Sequence, residues 1–423
     1  MNKLFLFALL LFFLPPLQAQ EHRRGDEAEF GGDCSIPTAE EWIDVNNFQT
    51  TFSSGAALSG RPFEVVPYDA PTSAGLLSGL WIGGFDAGGN IKLAATEFDG
   101  YTDFFNGPLL DDYGITDDSI CTVFDKIWII HRSDVEAMQQ DFADNGELDL
   151  PVPEDIRTWP GVQNPDFEAA YGMAIPTAEL APYFDYNGDG LYKVEDGDYP
   201  LIKGDVAYWK VINDAGGIHQ TSNSFALQVE IQVMAYGYYD EEPTLPVLNR
   251  TLFYEINLVS KDIEINDSLF IGLWSDPDLQ GYVCGYDYIG TAVDQNMVYS
   301  YTTIDPASAC GAGNFENFIV GMKLLQGPTQ INAQGQEEEL KMTNSMAYNN
   351  PSAGNPIPAT TDPFYDNEFY HLLNSHWKDG EPLTEGGSGY GGTTPTPFVH
   401  PGLPNDPDGW STCTSGETDL DKR

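Results

Sequence analysis

The chain has 423 residues, of which 41% are hydrophobic and 13% aromatic, enough to bury a substantial core. It is strongly acidic, because 65 aspartates and glutamates against 18 lysines and arginines give a formal net charge of −47. This composition argues against extensive disorder, and so negative a surface repels nucleic acid and anionic lipid. The excess charge is typical of a solvated surface, with part of it held by divalent cations.

The first twenty residues, MNKLFLFALLLFFLPPLQAQ, have the order of parts of a secretory signal peptide. Lys3 supplies a basic start, residues 4–14 form an apolar run, and Ala19 supplies a small-residue exit. The run is too short to span a bilayer, and Pro15-Pro16 interrupts it. We therefore expect residues 1–19 to be a removed signal peptide, no membrane span elsewhere, and a secreted location, with association with the cell surface as an option.

Residues 20–41 are charged and contain glycine, which predicts a flexible leader. The region that follows, 42–184, mixes strands with helix. Alternating apolar residues between glycine turns predict strands at 79–84 and 91–98. The dense apolar run at 122–131 predicts a buried strand.

A helix after this run has start and stop signals. Ser133 is the predicted N-cap, Glu136 completes a capping box, and Asn145-Gly146 ends the helix. Residues 178–183 predict a short turn of helix directly before an acidic loop.

The acidic loop at 185–196, DYNGDGLYKVED, fits the pattern D-x-[DN]-x-[DN]-G with a carboxylate at the twelfth place. A hard cation needs oxygen ligands that converge from a tight turn, and Gly190 at the sixth place lets the backbone bend so that the next carbonyl points inward. The spacing therefore predicts a Ca²⁺ loop. Its predicted ligands are Asp185, Asn187, Asp189, the carbonyl of Leu191, and Asp196.

The neighbours of this loop favour a structural calcium site over a sensor. A sensor EF-hand needs a long helix on each side, whereas Pro182 and Pro200 leave little room for flanking helices. Lys193 at the ninth place cannot act as a ligand, while Glu195 and Asp198 are spare carboxylates. We expect the loop to pin a junction between two halves of the protein.

Strand patterns dominate the chain after the calcium loop, which we take as 185–198. β-Branched and aromatic residues alternate between turns throughout the region 199–350, as in β-sandwiches and jelly rolls. The predicted strands are 226–236, 251–259, 268–274 and 297–303. The expected fold class is mainly β, with β-sandwich or jelly-roll-like modules, a few short helices and long loops.

The last region, 351–423, combines a helix with a Gly/Pro-rich tail. Helical spacing of apolar residues predicts a helix at 363–377, with Asp366 as a candidate cap. From Glu385 onward the chain is rich in Gly, Pro and Thr, which indicates a loop ordered by contact or an extended tail.

Five cysteines remain after the leader: Cys34, Cys121, Cys284, Cys310 and Cys413. Export permits disulfides, and Cys284 with Cys310 is the expected local pair. A second pair is expected among the other three, which leaves one thiol over or paired outside this chain. No CxxC or Cys/His spacing indicates zinc.

No catalytic motif stands out. HExxH, GxSxG and Walker motifs are missing from the sequence, and no G-x-G-x-x-G follows a predicted strand and opens a helix as in a dinucleotide fingerprint. His371 and His376 are five apart, a spacing that does not place both on one helix face. Trp377 and Trp410 could stack on sugar rings, although core packing is the commoner use.

A second acidic group is Asp276, Asp278 and, further on, Asp287. Alternate carboxylates after a strand could hold another cation. In so acidic a chain such groups also arise by chance, and we expect one cation site rather than two.

An ordered series of segments resembles a known group of proteins. LWIGGFDAGGNIKLAAT, CTVFDKIWIIHRSDVE, DGDYPLIKGD and WKDGEPLTEGGSGYGGTTPTPF occur in this order. From about Trp42 to the end, the chain resembles an uncharacterised family of large secreted Bacteroidetes surface proteins, typically cargo of the type IX secretion system. The resemblance implies an exported, β-rich protein whose calcium loop is the one above. It brings no settled activity and no catalytic residues.

Such proteins usually continue into a C-terminal sorting domain, whereas this sequence stops at Arg423. We expect either a fragment or a different route to its destination. The leading hypothesis is a non-enzymatic, calcium-stabilised protein with a structural, adhesive or matrix-contact role outside the cell. The alternatives are a secreted hydrolase of polysaccharide or peptide and a carbohydrate-binding module. The expected partners are an extracellular glycan or a surface or matrix protein, with no nucleic acid and with the oligomeric state open.

Overall fold

The computed structural model describes residues 32–60, 63–65, 75–98, 102–110, 114–177, 180–241, 247–262, 267–279, 288–301, 319–332, 334–350 and 357–416. The predicted signal peptide, most of the predicted leader, the predicted Cys284–Cys310 pair and Asp287 lie outside them. Within the described ranges the chain is mainly β, with antiparallel sheets, long loops and a few short helices, so the predicted fold class is confirmed. Within these ranges, none of the helices has the length and hydropathy needed to cross a membrane.

The described helices are α1 (Asp118–Val123), α2 (Arg132–Asn145), α3 (Glu154–Arg157), α4 (Pro165–Tyr171) and α5 (Asp366–Leu373). The described strands are β1 (Glu40–Ile43), β2 (Phe48–Ser53), β3 (Phe63–Val65), β4 (Gly75–Phe85), β5 (Ile91–Ala94), β6 (Phe105–Asn106), β7 (Trp128–His131), β8 (Tyr183–Phe184), β9 (Tyr199–Pro200), β10 (Val206–Asn213), β11 (Val229–Gly237), β12 (Leu252–Ser260), β13 (Asp267–Asp278), β14 (Tyr288–Ala292), β15 (Met297–Tyr301), β16 (Ile319–Lys323), β17 (Thr329–Ile331) and β18 (Glu337–Glu339).

The central sheet has the order β12-β11-β10, and β6 and β7 pair with different parts of the outer edge of β10. β10 and β11 are buried along almost their whole length, which explains why both sequences, VAYWKVIN and VEIQVMAYG, are nearly continuous in apolar residues. Both faces of this sheet are therefore covered.

A second sheet, β13-β4-β5, packs against one face of the central sheet. Leu80 and Ile82 of β4 share a core with Ile231, Val233 and Ala235 of β11. Alternate residues of a strand point to one face, and these positions follow that period of two. The two sheets thus form a sandwich around this core.

The opposite face of the central sheet is covered by helices and by the acidic loop. Trp209 of β10 contacts Trp128 and Trp159, with ring centroids 5.7 and 5.4 Å away. Phe167 of α4 and Tyr192 of the loop belong to the same core. The acidic loop is therefore built into a large aromatic core.

A third core forms around α5 and the Gly/Pro-rich tail. Trp377 Nε1 donates to the carbonyl of Gly389 at 2.8 Å, and Trp410 Nε1 donates to that of Gly387 at 3.0 Å. The described tail is thus ordered by contact. Because Trp377 is 1% exposed and Trp410 8%, the suggestion that they stack on sugars is wrong, and core packing is confirmed.

The predicted strand at 122–131 is wrong in its first half. Residues 118–123 form α1, and only β7, from Trp128, is extended. Asp117 caps α1, since its side chain accepts a hydrogen bond from the Ile120 N–H at 3.0 Å. An apolar run by itself does not distinguish a buried strand from a buried helix.

The predicted helix end at Gly146 is confirmed, but the predicted caps are wrong. Gly146 has the left-handed φ of 81° typical of a helix C-cap, whereas Ser133 lies inside α2 and His131 precedes it. Asp366 is the first residue of α5 and not its cap. Before the acidic loop, Tyr183 lies in β8 rather than in a turn of helix.

The sequence left the second disulfide open, and the structure pairs Cys34 with Cys121. Their Cα atoms are 5.8 Å apart, and 87 residues separate them in sequence. Cys413 is an exposed free thiol among the described residues. The disulfide ties the start of the described chain to α1.

Candidate metal centre

The acidic loop is the connection of a very small hairpin. β8 and β9 pair through Tyr183–Pro200 and Phe184–Tyr199, and the rings of Phe184 and Tyr199 stack with centroids 4.9 Å apart. Two-residue strands thus flank the loop where a sensor EF-hand has long helices.

The loop backbone folds around its own acidic side chains. Both carboxylate oxygens of Asp185 accept backbone N–H bonds, from Gly188 and from Gly190, each at 2.7 Å. Those two glycines have φ of 76° and 78°, a left-handed conformation that other residues rarely adopt. The tight turn expected of a cation loop is therefore present.

The next two predicted ligands make hydrogen bonds of the same kind. Asn187 Oδ1 accepts from the Asp189 N–H at 2.8 Å, and Asp189 Oδ1 accepts from the Leu191 N–H at 2.9 Å. These bonds hold the side chains at positions one, three and five within one turn.

Lys193 supplies the positive charge within the loop. Its Nζ lies 2.9 Å from Asp189 Oδ2 and 3.6 Å from Asp196 Oδ2. The hydrogen bond from Lys193, together with the Leu191 N–H, lowers the pKa of Asp189. The bond to Asp189 likewise raises the pKa of Lys193. Lys193 thus links two of the predicted cation ligands, a role that its sequence position did not reveal.

Asp198 binds two backbone N–H groups of the loop, although the prediction treated it as a spare carboxylate. It is fully buried, with Oδ1 accepting from the Tyr186 N–H and Oδ2 from the Lys193 N–H, both at 2.8 Å. Burial, together with the nearby charges of Asp185 and Asp189, raises the pKa of Asp198. Negative charge is therefore crowded in this loop.

Apolar residues anchor the loop to the protein. Tyr192 is fully buried and its hydroxyl donates to the carbonyl of Ile156 at 2.6 Å. Val194 belongs to the same core. Phe142 of α2 packs on Tyr186, with ring centroids 5.1 Å apart, and lies where a Cβ on Gly197 would be. Tyr192 and Val194 thus pack the second half of the loop into the aromatic core.

The fit of calcium to these residues is good for the backbone and incomplete for the side chains. The donor set is made of carboxylate, amide and carbonyl oxygens, which calcium prefers. Within the described ranges, however, no three His, Cys, Asp or Glu side chains converge as a ready-made metal group. Lys193 holds Asp189 and Asp196 instead, so a cation would have to displace its ammonium group.

The second acidic group gains no support as a cation site. Asp276 and Asp278 lie in β13, and the side chain of Asp276 is buried. Asp287 lies outside the described residues.

The two histidines near α5 each contact a backbone carbonyl. His371 Nδ1 is 3.0 Å from the carbonyl oxygen of Lys378, and His376 Nδ1 is 2.6 Å from that of Asn374.

The hydrolase alternative requires a cleft with two facing carboxylates. A surface depression of about 230 Å³ contains a single carboxylic acid, Glu40, among the described residues that line it. The other lining residues are Thr51, Ser53, Ala57, Gly60 and Leu77. This depression does not provide the acid pair of a glycosidase.

An aromatic cluster that the sequence did not single out lies on β11 and β12 and directly after β11. We define it as Tyr236, Tyr238 and Phe253, whose ring centroids are 5.2 to 6.0 Å apart. Tyr238 is 37% exposed. Beside the cluster, Lys203 Nζ and Glu255 Oε2 form an ion pair at 2.7 Å. Tyrosine is enriched at binding interfaces, because its ring is apolar and its hydroxyl is polar.

Comparisons of the chain with protein-family models, with curated proteins and with solved structures gave no match.

Proposed function

We propose that this chain is an exported, calcium-stabilised β-rich protein with a structural, adhesive or matrix-contact role at the cell exterior. The observation that carries the proposal is the folded acidic loop, in which Asp185 accepts both glycine N–H bonds. A turn already closed around carboxylates loses little further entropy on binding an ion.

Calcium would be held by the five predicted ligands, and it would supply the positive charge that crowded carboxylates lack. The ligands are Asp185, Asn187, Asp189, the Leu191 carbonyl and Asp196, with Asp198 beneath them. Lys193 would leave Asp189 and Asp196 when the ion enters. The buried side chains of Tyr192 and Val194 would transmit this stabilisation to the aromatic core.

Export is supported by the signal peptide and by the Cys34–Cys121 disulfide, since disulfides persist in oxidising compartments. Calcium outside cells reaches millimolar levels, at which weak extracellular sites are filled. We extend the proposal to membership of the Bacteroidetes surface family and to a glycan or a surface or matrix protein as partner.

Thermal unfolding in EDTA and in calcium tests the metal site. A calcium concentration of about 100 times Kd adds about 2.7 kcal/mol to the free energy of unfolding, so we expect Tm to rise by a few degrees. Asp189→Ala removes a ligand and should abolish the calcium-dependent rise. Asp144→Ala, which removes an exposed carboxylate from α2, should keep it. An identical Tm in EDTA and calcium would contradict the proposal.

Lys193→Gln sharpens the same experiment. Loss of the ammonium group removes the competitor for Asp189 and Asp196, so the Tm in EDTA should fall and the calcium-dependent rise should grow. Lys203→Gln removes a surface lysine elsewhere and should leave the rise unchanged. Equal calcium responses in both variants would show that Lys193 does not compete with the ion.

Carbohydrate binding is the second candidate function, and the aromatic cluster with its exposed Tyr238 favours it. We expect the calcium-loaded protein to bind members of a glycan array, and Tyr238→Ala to weaken that binding by up to about tenfold, as an aromatic contact contributes about 0.5–1.5 kcal/mol. Tyr365→Ala, at an exposed tyrosine before α5, is the control. Binding that is lost equally in both variants would argue against the cluster, and hydrolysis of a glycan would favour an enzyme.

A further inference from the structure

A buried histidine, His219, lies between β5 and the end of β10. Its ring is 1% exposed. Nδ1 is 2.7 Å from the carbonyl oxygen of Leu93, and Nε2 is 2.6 Å from the carbonyl oxygen of Asp214. Both ring nitrogens therefore face a backbone carbonyl at hydrogen-bond distance.

This arrangement determines the protonation state of the ring. A carbonyl oxygen only accepts hydrogen bonds, so each ring nitrogen has to donate one. A neutral imidazole carries a single N–H, and its other nitrogen would direct a lone pair at a carbonyl oxygen less than 3 Å away. Only the imidazolium form satisfies both contacts.

Two buried carboxylates balance the charge of this ring. Asp103 Oδ2 lies 4.0 Å from Nδ1, and its carboxylate accepts hydrogen bonds from the backbone N–H groups of Ala95, Thr221 and Ser222. The fully buried Asp214 accepts hydrogen bonds from the N–H groups of Leu227 and Val229. Among the described residues these two carboxylates are the charged groups that act on the ring.

The pKa directions agree with this geometry. Burial lowers the pKa of His219, but the charges of Asp103 and Asp214 and the two carbonyl acceptors outweigh burial, so the pKa lies above its usual value. Burial raises the pKa of Asp214, and the charge of His219 opposes that increase. Each group therefore favours the charged form of the other.

The cluster joins segments that are distant in sequence. His219 belongs to the loop between β10 and β11, residues 214–228, and its ring bonds to β5. The same loop accepts hydrogen bonds from Gly32 to Ala215 at 3.1 Å and from Cys34 to Gly216 at 2.9 Å. The disulfide-bonded start of the described chain and the buried ring thus hold one loop together.

A catalytic role does not fit this site. Ser222 lies nearby, but its hydroxyl donates to the Leu93 carbonyl at 3.1 Å rather than to the ring. Both ring nitrogens are engaged, and the serine and the histidine are inaccessible to a substrate.

We propose that His219 is a charged clamp, held as imidazolium between Asp103 and Asp214 at neutral pH, whose loss of a proton in alkali releases the 214–228 loop. A group whose pKa is raised by folding stabilises the folded state fully below its unfolded pKa, about 6.5 for histidine. That stabilisation is lost as the pH rises through the folded pKa. The clamp therefore holds at neutral pH and opens in alkali.

Nitrogen-15 NMR of the intact protein with labelled histidine tests the protonation state directly. At pH 7.5, where free histidine is mostly neutral, one of the six histidines should show two protonated ring nitrogens. Absence of such a ring, or its complete titration with a midpoint at or below about 6.5, would overturn the proposal. His219→Gln assigns the signal, and if that variant does not fold, substitution of the other five histidines assigns it by elimination.

Charge substitution and hydrogen exchange test the clamp. Asp103→Asn and Asp214→Asn should each lower the titration midpoint of the His219 ring by about one pH unit or more, since each removes a facing charge. Asp144→Asn on α2 should leave the titration midpoint of the His219 ring unchanged.

Hydrogen exchange tests the release of the loop. In the unmodified protein, amide exchange of residues 214–228, corrected for intrinsic rates, should accelerate above the midpoint while β11 stays protected. Uniform exchange across that pH range would contradict the release of the loop.

Discussion

Lys210 is a buried cation without a carboxylate partner among the described residues. Its Nζ donates to the carbonyls of Ser53 and Ala57 at 2.8 and 2.9 Å and to that of Gly55, and lies 4.0 Å from the ring centre of Phe52. Burial lowers the pKa of Lys210. Three acceptors match the three N–H bonds of an ammonium group, and with the ring face they favour the charged form. Lys210 thus fastens the segment after β2 to the central sheet.

Lys210→Met tests that role, because it keeps most of the side-chain volume and leaves three buried carbonyls without their donor. Such orphaned groups cost about 1–3 kcal/mol each, reduced where water re-enters, so we expect a loss of about 2–4 kcal/mol. Chemical unfolding with guanidinium measures it. Lys203→Met removes a half-exposed lysine from a surface ion pair and should change stability by less than about 1 kcal/mol. Equal effects of the two substitutions would refute the fastening role.

Neither buried cation was identified from the sequence, although one had a signal. Lys210 is the single charged residue within VAYWKVIN, a run that otherwise predicts a strand covered on both faces. A lysine in such a run has to bury its charge or reach the surface. His219 had no comparable signal, since its two carbonyl partners come together only when β5 packs beside the 214–228 loop.

At the scale of elements, strands were predicted better than helix starts. β11, β12 and β13 fall within a few residues of their predicted ranges, because burial imposes a regular pattern on long strands. Helix starts were predicted from capping side chains. Ser133 was chosen as the N-cap of α2, whereas the N-cap is His131, two residues earlier, whose side chain makes no capping hydrogen bond.

The acidic loop shows the same division between local and distant information. Its turn was predicted because the spacing of Asp185, Asn187 and Asp189 around Gly190 is a local property of the chain. The place of Asp198 was not predicted, because the loop pattern ends at Asp196 and says nothing about the bonds that Asp198 accepts from the N–H groups of Tyr186 and Lys193. The Cys34–Cys121 pairing, which spans 87 residues, was equally beyond a local pattern.

At the scale of the whole molecule, ions act on stability in two ways, by screening the net charge and by binding to the calcium loop. These two effects have to be distinguished by experiment. A formal charge of −47 destabilises the compact state through self-repulsion. Sodium chloride screens this repulsion at every site, since the Debye length falls from about 30 Å at 0.01 M to about 8 Å at 0.15 M. Calcium adds a specific stabilisation only where ligands converge.

We therefore expect two independent contributions to Tm. In EDTA, Tm should rise with sodium chloride over this range in the unmodified protein and in Asp189→Ala alike, because one carboxylate among 65 acidic residues hardly alters the repulsion. At a fixed ionic strength of about 0.15 M, calcium should raise Tm further in the unmodified protein alone. Calorimetry over both series measures the two slopes. If sodium chloride at equal ionic strength reproduced the whole effect of calcium, the stabilisation would be screening and the loop would hold no ion.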